Sequence, residues 1–328
     1  MGEFDLIERF FKRPVRRADL GVGDDCALLP PAPGQQLAIS SDMLVEGRHF
    51  LSTVDPARLG HKALAVNLSD LAACGAEPVA FTLALALPRA DAVWLEGFSR
   101  GLLALADAHG CELIGGDTTQ GPLNICITVF GHVPKPGSGS LALLRSGAQV
   151  GDDLYVSGTV GDARLALEVF RGTLSLPQAA FDAARARMEQ PTPRVALGLA
   201  LRGIATSAAD ISDGLIGDLG HILKASRVGA SIATAAALPL LAQRAALAAL
   251  PPERADDLAL ECVLAGGDDY ELVFTAPPQH RAAIQAAAAQ AQTPVTRIGQ
   301  IEAEPGLRLL GAQGQLLTRR FAGFDHFA

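Results

Sequence analysis

The chain has 328 residues, 49% hydrophobic and 19% charged, a balance that supplies ample core and excludes wholesale disorder. Its length fits two α/β domains better than one compact core. With 27 Lys and Arg against 35 Asp and Glu, the net charge is −8, which argues against a broad nucleic-acid or anionic-membrane surface.

Residues 3–11 read as a short amphipathic helix and 37–41 as a strand that ends in Ser40-Ser41-Asp42. Residues 56–74 form a helix stopped by Gly75, and 79–87 a buried strand ended by Pro88. A helix over 90–109 leads to a strand at 112–114, a turn over 115–119 and a strand over 124–133. The Pro-, Gly- and Ser-rich stretch 134–140, with the segment up to Gly151, is the best domain boundary, giving domains 1–140 and 148–328. The second half opens with a strand at 153–157, a turn at 158–161 and a helix over 162–170. Helices follow near 177–188 and 194–201, then a strand at 206–211 that runs through Ser212-Asp213-Gly214 into a helix ending near Ser226. The alanine-rich stretches 234–250 and 278–291 read as packed helices.

The N-terminus carries Glu3 and Asp5 and lacks an apolar signal region, and the most apolar run, 79–87, is too short to cross a bilayer. Cys26, Cys74, Cys111, Cys126 and Cys262 form no CxxC pair, so buried thiols in a reducing cytoplasm are expected.

Six segments set aspartate beside Gly, Ser or Thr next to an apolar element. They are Gly23-Asp24-Asp25, Ser40-Ser41-Asp42, Asn67-Leu68-Ser69-Asp70, Gly116-Asp117-Thr118-Thr119, Asp210-Ile211-Ser212-Asp213-Gly214 and Gly266-Gly267-Asp268-Asp269-Tyr270. Taken singly, each is ordinary turn or N-cap chemistry. Asp213 fits an N-cap, and Asp218 a solvated helix face. If the six converge, two carboxylates ~4 Å apart repel by roughly 4 kcal/mol at an effective dielectric near 20, so protons or cations must intervene. Hard oxygen donors without a His/Cys set select Mg²⁺ over zinc. Asn67 and Asp70, one turn apart, share a helix face.

None of the four lysines completes a GxxxxGK[ST] loop, and no HRD, GxSxG or strand-to-helix GxGxxG is present. Phosphate binding would fall to metal ions, backbone amides and isolated arginines. Arg145, in Leu144-Arg145-Ser146-Gly147, is one such candidate, with a solvated surface role as the alternative.

The order and wording of these blocks resemble the thiamine-monophosphate kinases of the aminoimidazole ribonucleotide synthetase-like superfamily. The likeness is carried by Gly-Val-Gly-Asp-Asp-Cys-Ala (21–27), Ser-Ser-Asp-Met-Leu-Val-Glu-Gly-Arg-His-Phe (40–50), His-Lys-Ala-Leu-Ala-Val-Asn-Leu-Ser-Asp-Leu-Ala-Ala (61–73) and Ile-Gly-Gly-Asp-Thr-Thr (114–119). Arg-Ser-Gly-Ala (145–148), Asp-Ile-Ser-Asp-Gly-Leu (210–215), Gly-Gly-Asp-Asp-Tyr-Glu-Leu (266–272) and Gly-Phe-Asp-His-Phe (323–327) extend it over essentially the whole chain. The resemblance implies a two-domain α/β (α+β) fold, mixed sheets flanked by helices, and a cytoplasmic homodimer paired through the first domain. It implies several Mg²⁺ ions held by Asp25, Ser40, Ser41, Asp42, Asp70, Asp117, Asp210 and Asp213. It also implies ATP contacts from Gly116, Asp117, Arg145 and Ser212, and a thiamine monophosphate pocket at His49, Asp268 and Phe324. Ser41, Asp268 and Phe324 stand where the family often has Thr, Glu and Tyr; the hydroxyl, the charge and the ring are kept.

The implied activity is the ATP-dependent conversion of thiamine monophosphate to thiamine diphosphate, a step of thiamine biosynthesis. Because the acceptor is itself a phosphate, no general base is assigned, and direct in-line transfer is expected. The rivals are another ATP-dependent member of the superfamily, a phosphohydrolase, and a non-catalytic divalent-metal scaffold.

Overall fold

A computed structural model describes residues 2–23, 26–137, 139–319 and 321. The chain divides into two compact units, Met1–Leu71 with Ala76–Leu141, and Ala72–Gly75 with Ala142–Ala328.

The first unit contains α1 (Glu3–Phe10), β1 (Gln35–Val45), α2 (Pro56–Ala73), β2 (Glu77–Leu87), α3 (Ala92–Ala108), β3 (Glu112–Gln120) and β4 (Asn124–Pro134). Its sheet runs β1-β4-β2-β3; β1 and β2 both lie antiparallel to β4, and β2 parallel to β3. Asp91 starts α3 by accepting hydrogen bonds from the Val93 and Trp94 amides at 3.0 and 3.2 Å, which satisfies donors that a helix start leaves open. Leu59, Leu64, Leu68 and Leu71 of α2 and Leu95, Phe98 and Leu102 of α3 are fully buried, as are Phe81, Leu85, Ile125 and Ile127 of the sheet. The helices follow the 3.6-residue apolar spacing, while β1 alternates along its length, its odd-numbered residues from Gln35 to Met43 exposed and its even ones covered.

The second unit contains β5 (Asp153–Ser157), α4 (Asp162–Phe170), α5 (Gln178–Glu189), α6 (Val195–Ala200), β6 (Ser207–Asp210), α7 (Leu215–Ser226) and β7 (Gly229–Ala233). It continues with α8 (Thr234–Ala237), α9 (Pro252–Ala265), β8 (Leu272–Ala276), α10 (Arg281–Gln290), β9 (Val295–Glu302) and β10 (Gly306–Leu310). The sheet order is β10-β7-β9-β5-β8-β6. Strands β5, β6 and β8 are buried at every residue, and Leu154, Val156, Leu215, Leu219, Ile222, Val263 and Val273 belong to one core cluster.

Several expectations need correction. Ser40-Ser41-Asp42 does not end a strand; β1 continues to Val45, because Met43, Leu44 and Val45 keep pairing with Cys126, Ile125 and Asn124. Residues 115–119 are not a turn but the middle of β3, paired with β2. The 234–250 stretch is no single helix: α8 is one turn, followed by short 3₁₀ turns at Leu238–Leu240 and Arg244–Leu247. Pro239 lacks the N–H that a continuing helix needs, and the buried Asp162 carboxylate accepts from the Ala242 and Gln243 amides instead. Not all thiols are buried: Cys26 is exposed, and Cys74 and Cys126 are half-buried. Burial pushes the Cys111 and Cys262 thiols up to about 12. No helix among the described residues is long and apolar enough to cross a membrane.

Candidate functional site

In the first unit, β1 and α2 build an acidic patch. Ser40 and Asp42 lie two residues apart on the covered face of β1. The Ser40 hydroxyl donates to the Asp70 carboxylate, and the Asp42 amide donates to Asn67 Oδ1 at 3.1 Å. Asn67 is itself buried and fixed, its Nδ2 donating to the Ala63 carbonyl one turn back at 3.0 Å. A strand carrying hydroxyl and carboxylate thus meets a helix carrying amide and carboxylate: Ser40 and Asp70 orient each other, and Asn67 is tied to the backbone at Asp42. His49 sits in the turn that leaves β1. Its Nδ1 accepts the Val45 amide at 2.9 Å, so the ring proton of the neutral imidazole is on Nε2.

Ser41 and Asp117 stand apart from that patch. Strand alternation puts Ser41 on the opposite face of β1, where its hydroxyl meets the Thr128 hydroxyl at 3.0 Å and donates to the Ile127 carbonyl at 3.2 Å. Asp42 shares a row with Ile127, Leu83 and Gly116, so Gly116 and Asp117 lie three strand spacings away, roughly 14 Å along the sheet. Gly116 is demanded by packing, since it has φ +148° and a Cβ would sit 1.9 Å from the Leu83 carbonyl oxygen.

In the second unit two acidic turns are zipped together through their backbones. The Asp268 amide donates to the Ser212 carbonyl at 2.7 Å, Tyr270 to Ile211 at 2.8 Å, and Ile211 to Glu271 at 2.8 Å. Asp268 and Tyr270 both adopt left-handed backbone, with φ of 63° and 53°, a conformation costly for residues with a Cβ. A buried ionic lattice holds this segment. Glu271 is fully buried and accepts from Arg187 at 2.7 Å, from Arg194 Nε at 2.6 Å and from the Ser157 hydroxyl at 2.6 Å. Beside it, burial raises the Asp269 carboxyl well above the usual carboxylate range; its Oδ1 accepts the Gly161 amide at 2.8 Å.

Asp218 is buried rather than solvated. Burial pushes its carboxyl up to about 7, the Asp213 charge adds to this, and the Asp213 and Ser212 amides and Arg145 act in the opposite direction. Leu215, Asp218, Leu219 and Ile222 share the buried face of α7; that 3-4-7 spacing was the available signal. Asp213 is not the helix cap, which is Gly214, with no side-chain cap bond. Arg145 is exposed, on a loop pinned by Ser226: the Ser226 hydroxyl donates to the Arg145 carbonyl at 3.2 Å and accepts the Gly147 and Ala148 amides at 3.1 Å each. Asp210 closes β6 and is buried.

Asp25 and Phe324, with the 323–327 block, lie outside the described residues. Among the described residues no three His, Cys, Asp or Glu side chains group as a metal cage. Magnesium does not require one, since it is commonly held by one or two carboxylates with water and substrate phosphate completing the shell. The oxygen donors of Ser40, Asp42 and Asp70 fit that pattern.

Family models agree with this architecture: the AIR synthase related protein N-terminal domain matches residues 23–133, and the corresponding C-terminal domain matches 149–311. The chain is 48% identical to the thiamine-monophosphate kinase of Escherichia coli strain K12 over 334 residues, covering 100% of this chain and 98% of that one. Among solved structures, thiamine-monophosphate kinase from Stenotrophomonas maltophilia matches with a TM-score of 0.81 at 44% identity, over 92% of each chain. "AaThiL complexed with AMPPCP and TMP" matches with a TM-score of 0.74 at 27% identity, over 91% of this chain and 89% of that one. The chain belongs to the AIR synthase related family and, within it, to the thiamine-monophosphate kinases.

Proposed function

We propose that this protein transfers the γ-phosphoryl group of ATP to thiamine monophosphate, forming thiamine diphosphate, by direct in-line displacement. The observation that carries the reading is the 48% identity to a thiamine-monophosphate kinase along the whole of both chains. It is supported by the 27%-identical relative seen with AMPPCP and TMP together.

Within the first unit, Asp42 and Asp70 would hold magnesium, with Asn67 fixing the backbone at Asp42 and Ser40 the Asp70 carboxylate. Asp25, Asp117, Asp210 and Asp213 are the further ligands that the family resemblance implies for other ions, whereas Ser41 lies on the opposite face of β1. When bound, magnesium supplies the charge neutralisation that two phosphate anions need to approach. Gly116, Asp117, Arg145 and Ser212 bind the nucleotide, Arg145 as a charge-assisted donor to phosphate. His49, Asp268 and Phe324 are the residues that the family resemblance implies for binding the acceptor. The acceptor oxygen is already ionised at neutral pH, so these residues position rather than deprotonate it.

The protein acts in the cytoplasm as a homodimer. The open face of the first sheet supports the pairing: Leu37, Ile39 and Met43 are 46, 60 and 53% exposed and sit opposite His132, Phe130 and Cys126 of β4. An apolar sheet face left in water is unfavourable, and a second copy would cover it.

Incubation with ATP, Mg²⁺ and thiamine monophosphate should yield thiamine diphosphate and ADP in equal amounts. Free phosphate released without acceptor would instead identify a phosphohydrolase. Metal binding that does not discriminate ATP from ADP, with no product, would identify a scaffold.

A further inference from the structure

Ser212 and Asp213 leave β6 before α7 begins, on a turn that no side chain caps. Their amides are nevertheless occupied: both donate to one oxygen, Asp218 Oδ2, at 3.0 and 3.1 Å. Asp218 is 3% exposed and sits a turn inside α7, so it reaches backward over the helix start. The Ser212 carbonyl is taken on its other side by the Asp268 amide at 2.7 Å. Ser212 is therefore clamped on both sides, by Asp218 from the interior of α7 and by Asp268, which lies in left-handed backbone. Without the Asp218 acceptor the two part-buried amides would lose the bonds that hold the turn in place.

We propose that Asp218 is a positioning residue for phosphoryl transfer, its single carboxylate oxygen fixing the Ser212–Asp213 turn in the arrangement that receives magnesium-bound ATP. The inference rests on the kinase reading above. It assigns to Asp218 no contact with substrate. The requirement is for an acceptor at that point, and an amide oxygen meets it as well as a carboxylate.

The test compares Asp218→Ala with Asp218→Asn. Asp218→Ala removes the acceptor and should raise KM for Mg·ATP by ~10-fold or more, the size of effect seen when the partner of a ligand is removed. KM for thiamine monophosphate should stay within about 2-fold, since a loosened Ser212–Asp213 turn acts on the nucleotide. Asp218→Asn keeps the acceptor and should remain within about 3-fold of wild type on both. An unchanged KM for Mg·ATP in folded Asp218→Ala, or an Asp218→Asn enzyme as impaired as Asp218→Ala, would overturn the proposal. Hydrogen exchange at the Ser212 and Asp213 amides of the wild-type protein tests it even if Asp218→Ala does not fold: slow exchange is expected, and exchange at solvent rates sinks it. Calorimetric titration with Mg·ATP separates the two readings. A wild-type protein that binds Mg·ATP without making thiamine diphosphate defeats the kinase assignment, while the order wild type ≈ Asp218→Asn > Asp218→Ala in affinity still upholds the positioning role.

Discussion

At the residue scale, the candidate site works through pairs rather than isolated acids. Asp70 accepts the Ser40 hydroxyl, and Asn67 accepts the Asp42 backbone amide, so the Asp70 carboxylate is oriented and the backbone that presents Asp42 is fixed. Asp70→Asn keeps the shape and removes the charge. We expect kcat/KM to fall at least ~100-fold, about 2.7 kcal/mol of transition-state stabilisation, with an unchanged circular-dichroism spectrum; near-normal turnover at saturating Mg²⁺ would take Asp70 out of the metal site. A different acid sets pH behaviour. Asp153 is 1% exposed and accepts from Arg281 at 2.6 and 2.9 Å and Arg297 at 3.1 Å. The Arg281 hydrogen bonds lead in holding its carboxyl below the usual range. A depressed acid contributes stability above its unfolded pKa, near 3.9, and loses it as pH falls through the folded value. Urea midpoints of wild type and Asp153→Asn should therefore differ by a constant amount above about pH 5 and converge below about pH 4. A gap that widens on acidification would contradict the pairing. Both arginines are half-exposed, so added salt should narrow the gap.

At the element scale, the first unit depends on how closely α2 and α3 approach. A Cβ at Gly101 of α3 would lie 1.8 Å from the Ala57 carbonyl oxygen of α2, a backbone atom that cannot rotate away. Gly101→Ala should cost about 1–3 kcal/mol, as overpacking does, despite alanine's better helix propensity. An unchanged or raised urea midpoint would mean the helices can separate freely. The α2 helix also carries Asn67 and Asp70, so its placement matters to the site as well as to stability. In the second unit the comparable support is ionic. Glu271 joins Arg187 and Arg194, 84 and 77 residues away in sequence, and anchors the strand that follows the strained Asp268–Tyr270 segment.

At the scale of the whole molecule, the exposed row Leu37, Ile39 and Met43 bears on assembly. Ile39→Asp puts a charge at the middle of that row, opposite Phe130, where it would have to be desolvated on pairing. Sedimentation should shift from dimer to monomer while each chain stays folded; a dimer of wild-type affinity in the variant would place the interface elsewhere. Full-length relatedness to thiamine-monophosphate kinases ties this architecture to phosphoryl transfer.

The sequence by itself determined most of the elements that bear the chemistry. Helices α2, α3 and α7 and strands β2, β4, β5 and β8 announce themselves by local apolar period, and the Asp/Gly/Ser blocks mark the acidic segments. Small-residue β7, and strands β9 and β10 with their weak alternation, were not legible, nor was the break that Pro239 makes in an alanine-rich run. Tertiary structure alone decided which side chains meet. Ser40 and Ser41 are neighbours in sequence, yet the pleat sends one to Asp70 and the other to Thr128. Asp117 sits across the sheet from Asp42 because β4 and β2 intervene. The period of α7 puts Asp218 on the apolar face, but only the folded turn shows that it accepts the Ser212 and Asp213 amides. The physical reason is common to all three: periodicity is a property of one segment, whereas strand register, helix docking and charge pairing depend on residues tens of positions away.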